Sequence, residues 1–298
     1  MKKWHMIIDV AKCEDCNNCF LACKDEHVDN EWPGYSVAQP RHGQRWMDVM
    51  RKERGQFPLL DVAYRPTTCM HCVEAPCAEG LGGAVRKRDD GIVLIDLEKA
   101  KGRRDLVDAC PYRMIWWNEE RQVPQKCTLC AHLLDQGWKQ PRCVQSCPTG
   151  ALQMKFVDDA EMAEIAESDK LECLHPEYET RPSVFYANLQ RFDKCFIAGC
   201  IAIEKDNAVD CAWGATVALY QADQRIAETP TDAFGDFRFD GLEHNSSWYS
   251  VQCVLKGYGK HTVSIPHLKN SLSLDTICLP RSAEKEDSVS AKSEKSGR

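Results

Sequence analysis

The chain has 298 residues, enough for about two domains with a real core. Thirty-eight Lys and Arg against 45 Asp and Glu leave a formal charge of -7, and no basic stripe recurs, which excludes the electrostatic footprint of a nucleic-acid binder. No apolar run approaches the roughly 20 residues needed to span a bilayer.

The amino terminus, MKKWHMIIDV, has neither the apolar stretch of a secretory signal nor a twin-arginine pair, so a cytoplasmic location is expected. Eighteen cysteines in such a chain are too many for packing, and disulfides do not persist in that compartment. Metal is the default reading. The first group, Cys13-x2-Cys16-x2-Cys19-x3-Cys23, can wrap three thiolates around an iron-sulfur cube while the fourth points to a neighbouring cluster. Residues 24–68 follow as a long insertion, with Trp32, Trp46, Phe57 and Tyr64 among Arg41, Arg45, Arg51 and Arg54. That composition suits an arm laid on a larger partner, the alternative being a local lid over a cluster.

Cys69-x2-Cys72-x4-Cys77 is the second group, and Gly91 to Leu97 alternates like a short strand. Cys110 stands alone before Pro111, with Trp116 and Trp117 expected to pack nearby. Cys127-x2-Cys130-x12-Cys143-x3-Cys147 closes the series, again before a proline. A four-thiolate zinc ribbon would explain this last group but not the run at 13–23. The crossover rule of two-cluster ferredoxins gives a definite wiring: Cys13, Cys16 and Cys19 with Cys147; Cys23 with Cys127, Cys130 and Cys143; Cys69, Cys72 and Cys77 with Cys110. A mirror site for the third set would draw on Leu81, Ala100, Arg103 and Leu106, none of which offers a thiolate. One whole site is therefore missing, its cavity filled by apolar volume, with Arg103 turned outward or paired with an acid. Three 4Fe-4S clusters remain. His71 and His132, close to these motifs, are candidates for tuning a cluster through hydrogen bonds to sulfur or are plain loop residues.

Within this cysteine framework, CEDCNNCFLACKDEH with NEWPGY close behind, GIVLIDLEKAKG and QKCTLCAHLLD resemble the four-motif, ferredoxin-like electron-transfer subunits that accompany catalytic subunits of the dimethyl sulfoxide reductase type. The resemblance covers residues 1 to about 155. It implies an oxidoreductase subunit without catalytic residues of its own, bound to a large subunit that carries a molybdenum or tungsten bis-pterin cofactor. An external electron carrier is a further possible partner. The single missing site and an added β domain resemble the branch of that family devoted to transhydroxylation of pyrogallol-like polyphenols. Two other functions stay open: electron donation to a reductive catechol dehydroxylase, and a mainly structural role bracing the catalytic partner.

Residues 1–156 are thus expected to form an α+β, duplicated bacterial ferredoxin-like domain. A connector over 157–192 follows, in which Asp158 and Asp159 cap a helix that places Met162, Ile165 and Ala166 on one face. From 193 to 280, alternating apolar and polar residues with turn signals at Ala222-Asp223 and Phe234-Gly235 predict six or seven short strands. A small antiparallel β-sandwich results, whose wording resembles collagen-adhesin B or transthyretin-like modules. Cys173, Cys195, Cys200, Cys211, Cys253 and Cys278 lack cluster spacing and are expected as small apolar fillers. The tail 281–298 is expected to be disordered.

Overall fold

The computed structural model describes residues 1–79, 82–205, 208–244 and 248–282. The chain divides into two compact units, Met1–Glu53 with Val62–Asp193, and Arg54–Asp61 with Lys194–Arg298.

The first unit is organised by β1 (Lys3–Asp9). Its middle residues Met6, Ile7 and Ile8 are all buried because the strand is covered on both faces. Met6 and Ile8 face the main core, whereas Ile7 faces the other way, toward Val157 and Met162, as a period of two requires. The helix α1 (Asn18–His27) follows the first cysteine loop. β2 (Met47–Gln56) and β3 (Leu59–Thr68) form a two-stranded ribbon, and two short hairpins come next, β4 (Val85–Lys87) with β5 (Val93–Ile95) and, after α2 (Asp105–Asp108), β6 (Trp116–Asn118) with β7 (Val123–Gln125). Two one-turn helices, α3 (Ala131–Leu134) and α4 (Arg142–Gln145), lead to β8 (Leu152–Val157).

β8 pairs antiparallel with β1, Ile8 lying opposite Leu152. That register brings the start of the first cysteine motif to the end of the last one, and α1 packs on α4 beside it. The stretch expected as a connector belongs to this unit. Its helix α5 (Asp159–Ser168) is capped by the Asp158 carboxylate, which accepts from the backbone N–H of Ala160 and Glu161. Its strand β9 (Val184–Ala187) runs parallel to β1 as the third strand of the sheet, before a final turn α6 (Gln190–Asp193). β1 leaves a second edge and a second apolar face, which β9 and α5 cover.

In the insertion, Trp46 is buried in the main core and its indole N–H donates to the Gln44 amide oxygen at 2.9 Å. Arg45 stacks over Phe20, and Arg51 pairs with Asp15. Much of the aromatic and arginine content at 24–68 is therefore used within this chain, while Phe57 is exposed.

From Lys194 onward the second unit has eight strands among its described residues, more than the six or seven expected for 193–280. β10 (Cys195–Lys205) is the spine of one sheet, flanked by β11 (Ala208–Cys211), by β14 (Asp236–Leu242) and, in parallel, by β17 (Leu272–Leu279). The other sheet has the order β13 (Gln224–Pro230), β12 (Thr216–Gln221), β15 (Tyr249–Val254), β16 (His261–Ile265). Ile197, Ile201, Phe237 and Phe239 of the first share one apolar cluster with Val217, Leu219, Val251 and Cys253 of the second. The turns fall where the composition put them. Ala222 and Asp223 both take positive φ, the geometry of a tight hairpin. Gly235 also has positive φ, and a Cβ there would collide with the Ile201 carbonyl oxygen. Of the tail, 283–298 lies outside the described residues.

Candidate metal centres

The cysteine loops share a local geometry. The residue two after the leading cysteine takes a left-handed backbone in each: Asp15 after Cys13, His71 after Cys69, Leu129 after Cys127. None is glycine, and holding such residues at positive φ costs on the order of 1–3 kcal/mol each. The turn aims their backbone N–H groups back at sulfur. Leu129 N–H donates to Cys127 Sγ at 3.3 Å, and Asp15 N–H donates to Cys13. Met114 N–H reaches Cys110 Sγ at 3.4 Å. Donors of this kind favour the thiolate over the thiol.

The electrostatic influence of one thiol on another links cysteines that are remote in sequence. Burial pushes Cys19 up to about 12, with added repulsion from Cys13, Cys147 and Cys16. Burial also raises Cys23 well above the ordinary range, with Cys127 and Cys130 contributing; Cys143 is raised in the same way, with Cys130, Cys127 and Cys23 as neighbours. Burial takes Cys72 up to about 12, with Cys69, Cys110 and Cys77 beside it. Cys147 alone moves down: burial opposes its thiolate, but backbone N–H groups of Leu152, Ala151 and Thr149 and the Thr149 hydroxyl outweigh it. Four thiolates brought together in a poorly solvated space need a polycation among them. The donor set fits a 4Fe-4S cube, which takes four thiolates.

The three sets expected from the spacing are not isolated from one another. Cys19 acts on both Cys23 and Cys143, linking the first group to the second, and Cys69 acts on Cys127, linking the second to the third. The third surrounds a small cavity lined by Cys69, Cys72, Cys77 and Cys110 together with Tyr112 and Lys126. Beyond it, where a fourth site would stand, Ala100 and Leu106 are fully buried in an apolar cluster with Ala84, Val85, Ile95 and Ile115. Arg103 turns out to the surface and pairs with Asp105 at 2.7 Å. Leu81 lies outside the described residues.

Of the two histidines singled out, His71 is buried and its Nδ1 accepts from Val93 N–H at 3.1 Å. Burial holds it well below the usual imidazole range. His132 instead pairs through Nε2 with Glu26 at 2.8 Å and stacks on Trp32. Sequence reasoning missed His27, whose Nε2 lies 3.9 Å from Cys130 Sγ and whose pKa burial pushes down to about 3. A signal was available: His27 follows Cys23 by four on α1, so both occupy one helix face. Lys126 was also missed, hidden in the run Gln125-Lys126-Cys127. Of the remaining cysteines, Cys195 and Cys253 are buried, Cys173 and Cys200 are partly buried, and Cys211 and Cys278 are exposed, so the filler role does not extend to all six. The exposed pair lie on strands at the outer margin of one sheet, where neither thiol is needed to fill the core.

Residues 60–157 match the model of a 4Fe-4S dicluster domain. The chain is 46% identical over 266 residues to the small subunit of pyrogallol hydroxytransferase from Pelobacter acidigallici, covering 88% of this chain and 95% of that one. It belongs to that small-subunit family. More distant members of the wider group include a tetrathionate reductase subunit from Salmonella typhimurium, 32% identical over 63% of this chain and 73% of that one. The iron-sulfur subunit of arsenate respiratory reductase from Shewanella sp. strain ANA-3 is 28% identical over 61% of this chain and 94% of that one. Among the described residues no helix is long and apolar enough to cross a membrane.

Proposed function

We propose that this chain is the iron-sulfur subunit of a heteromeric molybdenum or tungsten bis-pterin enzyme, with three 4Fe-4S clusters, and that its large partner transhydroxylates pyrogallol-like polyphenols. The observation that carries the reading is the match to a 4Fe-4S dicluster domain over residues 60–157, in a chain whose Cys147 lies near enough to Cys13 and Cys19 to act on them. Full-length similarity to the Pelobacter small subunit supports the substrate class. Cys13, Cys16, Cys19 and Cys147 would hold one cluster, Cys23, Cys127, Cys130 and Cys143 the next, and Cys69, Cys72, Cys77 and Cys110 the last. Bound clusters supply one-electron redox chemistry. The chain's own part is to present thiolates, to orient N–H donors on them and to keep water out. Ala100 and Leu106 fill the fourth position with hydrocarbon.

The second unit we read as a collagen-adhesin B or transthyretin-like sandwich serving in docking, a reading supported by its two sheets around one core. The test is copurification of the complex, followed by metal analysis. About twelve irons per chain, no zinc, and molybdenum or tungsten with a pterin in the large subunit are expected. Stoichiometric zinc, or a chain that purifies without a pterin-bearing partner, would overturn the proposal.

A further inference from the structure

Lys126 is only 3% exposed. Its ammonium donates to the backbone carbonyl of Cys127 at 3.1 Å and to that of Val93. Those are neutral partners, and among the described residues no carboxylate pairs with it. A buried charge needs an opposite one close by. The side chain lines the cavity of Cys69, Cys72, Cys77 and Cys110 while its own backbone leads directly into Cys127. It stands between the cavity lined by the third group and the backbone carbonyl of Cys127 in the second.

We infer that Lys126 is a counter-ion shared by two adjacent cluster sites, a positioning residue that raises the reduction potential of both and lets them hold electrons side by side. The inference rests on the cluster reading above. A fixed positive charge in a poorly solvated interior favours the more negative, reduced state of whatever lies next to it, and salt screens it little. None of Cys13, Cys16, Cys19 and Cys147 lines the cavity of Lys126, so the first group lies outside its influence.

The experiment uses the intact complex with Lys126→Met, Lys126→Gln and Lys126→Arg, read by iron content and by redox titration followed by electron paramagnetic resonance. In the unaltered complex, about twelve irons and three separable 4Fe-4S signals test the cluster reading itself, independently of Lys126. In Met and Gln, with iron retained, two of the three midpoints should fall by at least about tenfold in the reduction equilibrium, about 59 mV for a one-electron couple. The third should stay, and Arg should restore both. Midpoints that do not move, that move all together, or that fall at one cluster alone overturn the inference. So does loss of iron from the neutral variants, which would give the residue an assembly role instead.

Discussion

A cysteine in this chain is useful only in company, and each thiol's environment states which company it keeps. Cys147 illustrates this: it sits at the end of the last motif, yet its thiolate acts on Cys13 and Cys19, across more than a hundred residues of sequence. Replacing Cys147 with Ser is expected to damage the cluster held by Cys13 and leave the signal of the Cys127 group intact, as judged by iron content and paramagnetic spectra. The reverse would overturn the crossover wiring. Leu106 carries the opposite kind of information, being fully buried where a ligand would otherwise be needed. Leu106→Ala should cost about 2–5 kcal/mol through the void it leaves, seen as a lower thermal midpoint with iron content unchanged. If iron were lost in parallel, Leu106 would be supporting the third group directly.

At the scale of elements, β1 does the joining, because its two edges and two faces take β8, β9, α5 and the cysteine core at once. The cap on α5 gives a clean test there. Asp158→Ala removes the acceptor of two N–H groups and should destabilise that helix by about 1 kcal/mol, read as faster amide exchange over 159–168 with no effect on the clusters. In the second unit the sharp turn at Gly235 is set by backbone approach. Gly235→Ala would drive a Cβ into the Ile201 carbonyl, so amide protection along β10 and β14 should fall while the first unit keeps its iron. Unchanged protection would show that the turn relaxes without strain. The clash is with backbone, which cannot swing aside as a side chain can.

For the whole molecule the question is whether the clusters carry electrons during turnover. Transhydroxylation leaves the electron count of its substrates balanced, so a line of one-electron centres is needed there only to set or maintain the oxidation state of the metal. The proposed series of clusters, with Ala100 and Leu106 filling the fourth position with hydrocarbon, suits a wire with a single outlet. An enzyme pre-reduced once and then assayed without carrier should keep turning over if the wire serves activation alone. A reductive dehydroxylase would stop as soon as its stored electrons were spent. Measuring turnovers per enzyme after removal of the reductant separates the two.

Cysteine spacing alone pointed to the iron-sulfur chemistry that the dicluster match bears out, and it suggested the pairing of distant motifs and the missing fourth site that we propose, because a cube of fixed size admits few ways for a chain to supply four thiolates. The Asp158 cap and the hairpin turn at Ala222-Asp223 were equally legible, since caps and tight turns depend on a few adjacent residues. What sequence could not reveal lies wherever two remote segments must meet. That β9 joins β1, that Trp46 is core, that His27 reaches Cys130 and that Lys126 is buried between two thiolate groups follow from tertiary packing. Burial, not residue type, makes an ordinary surface lysine into an interior charge, and only the folded chain decides which lysine that is.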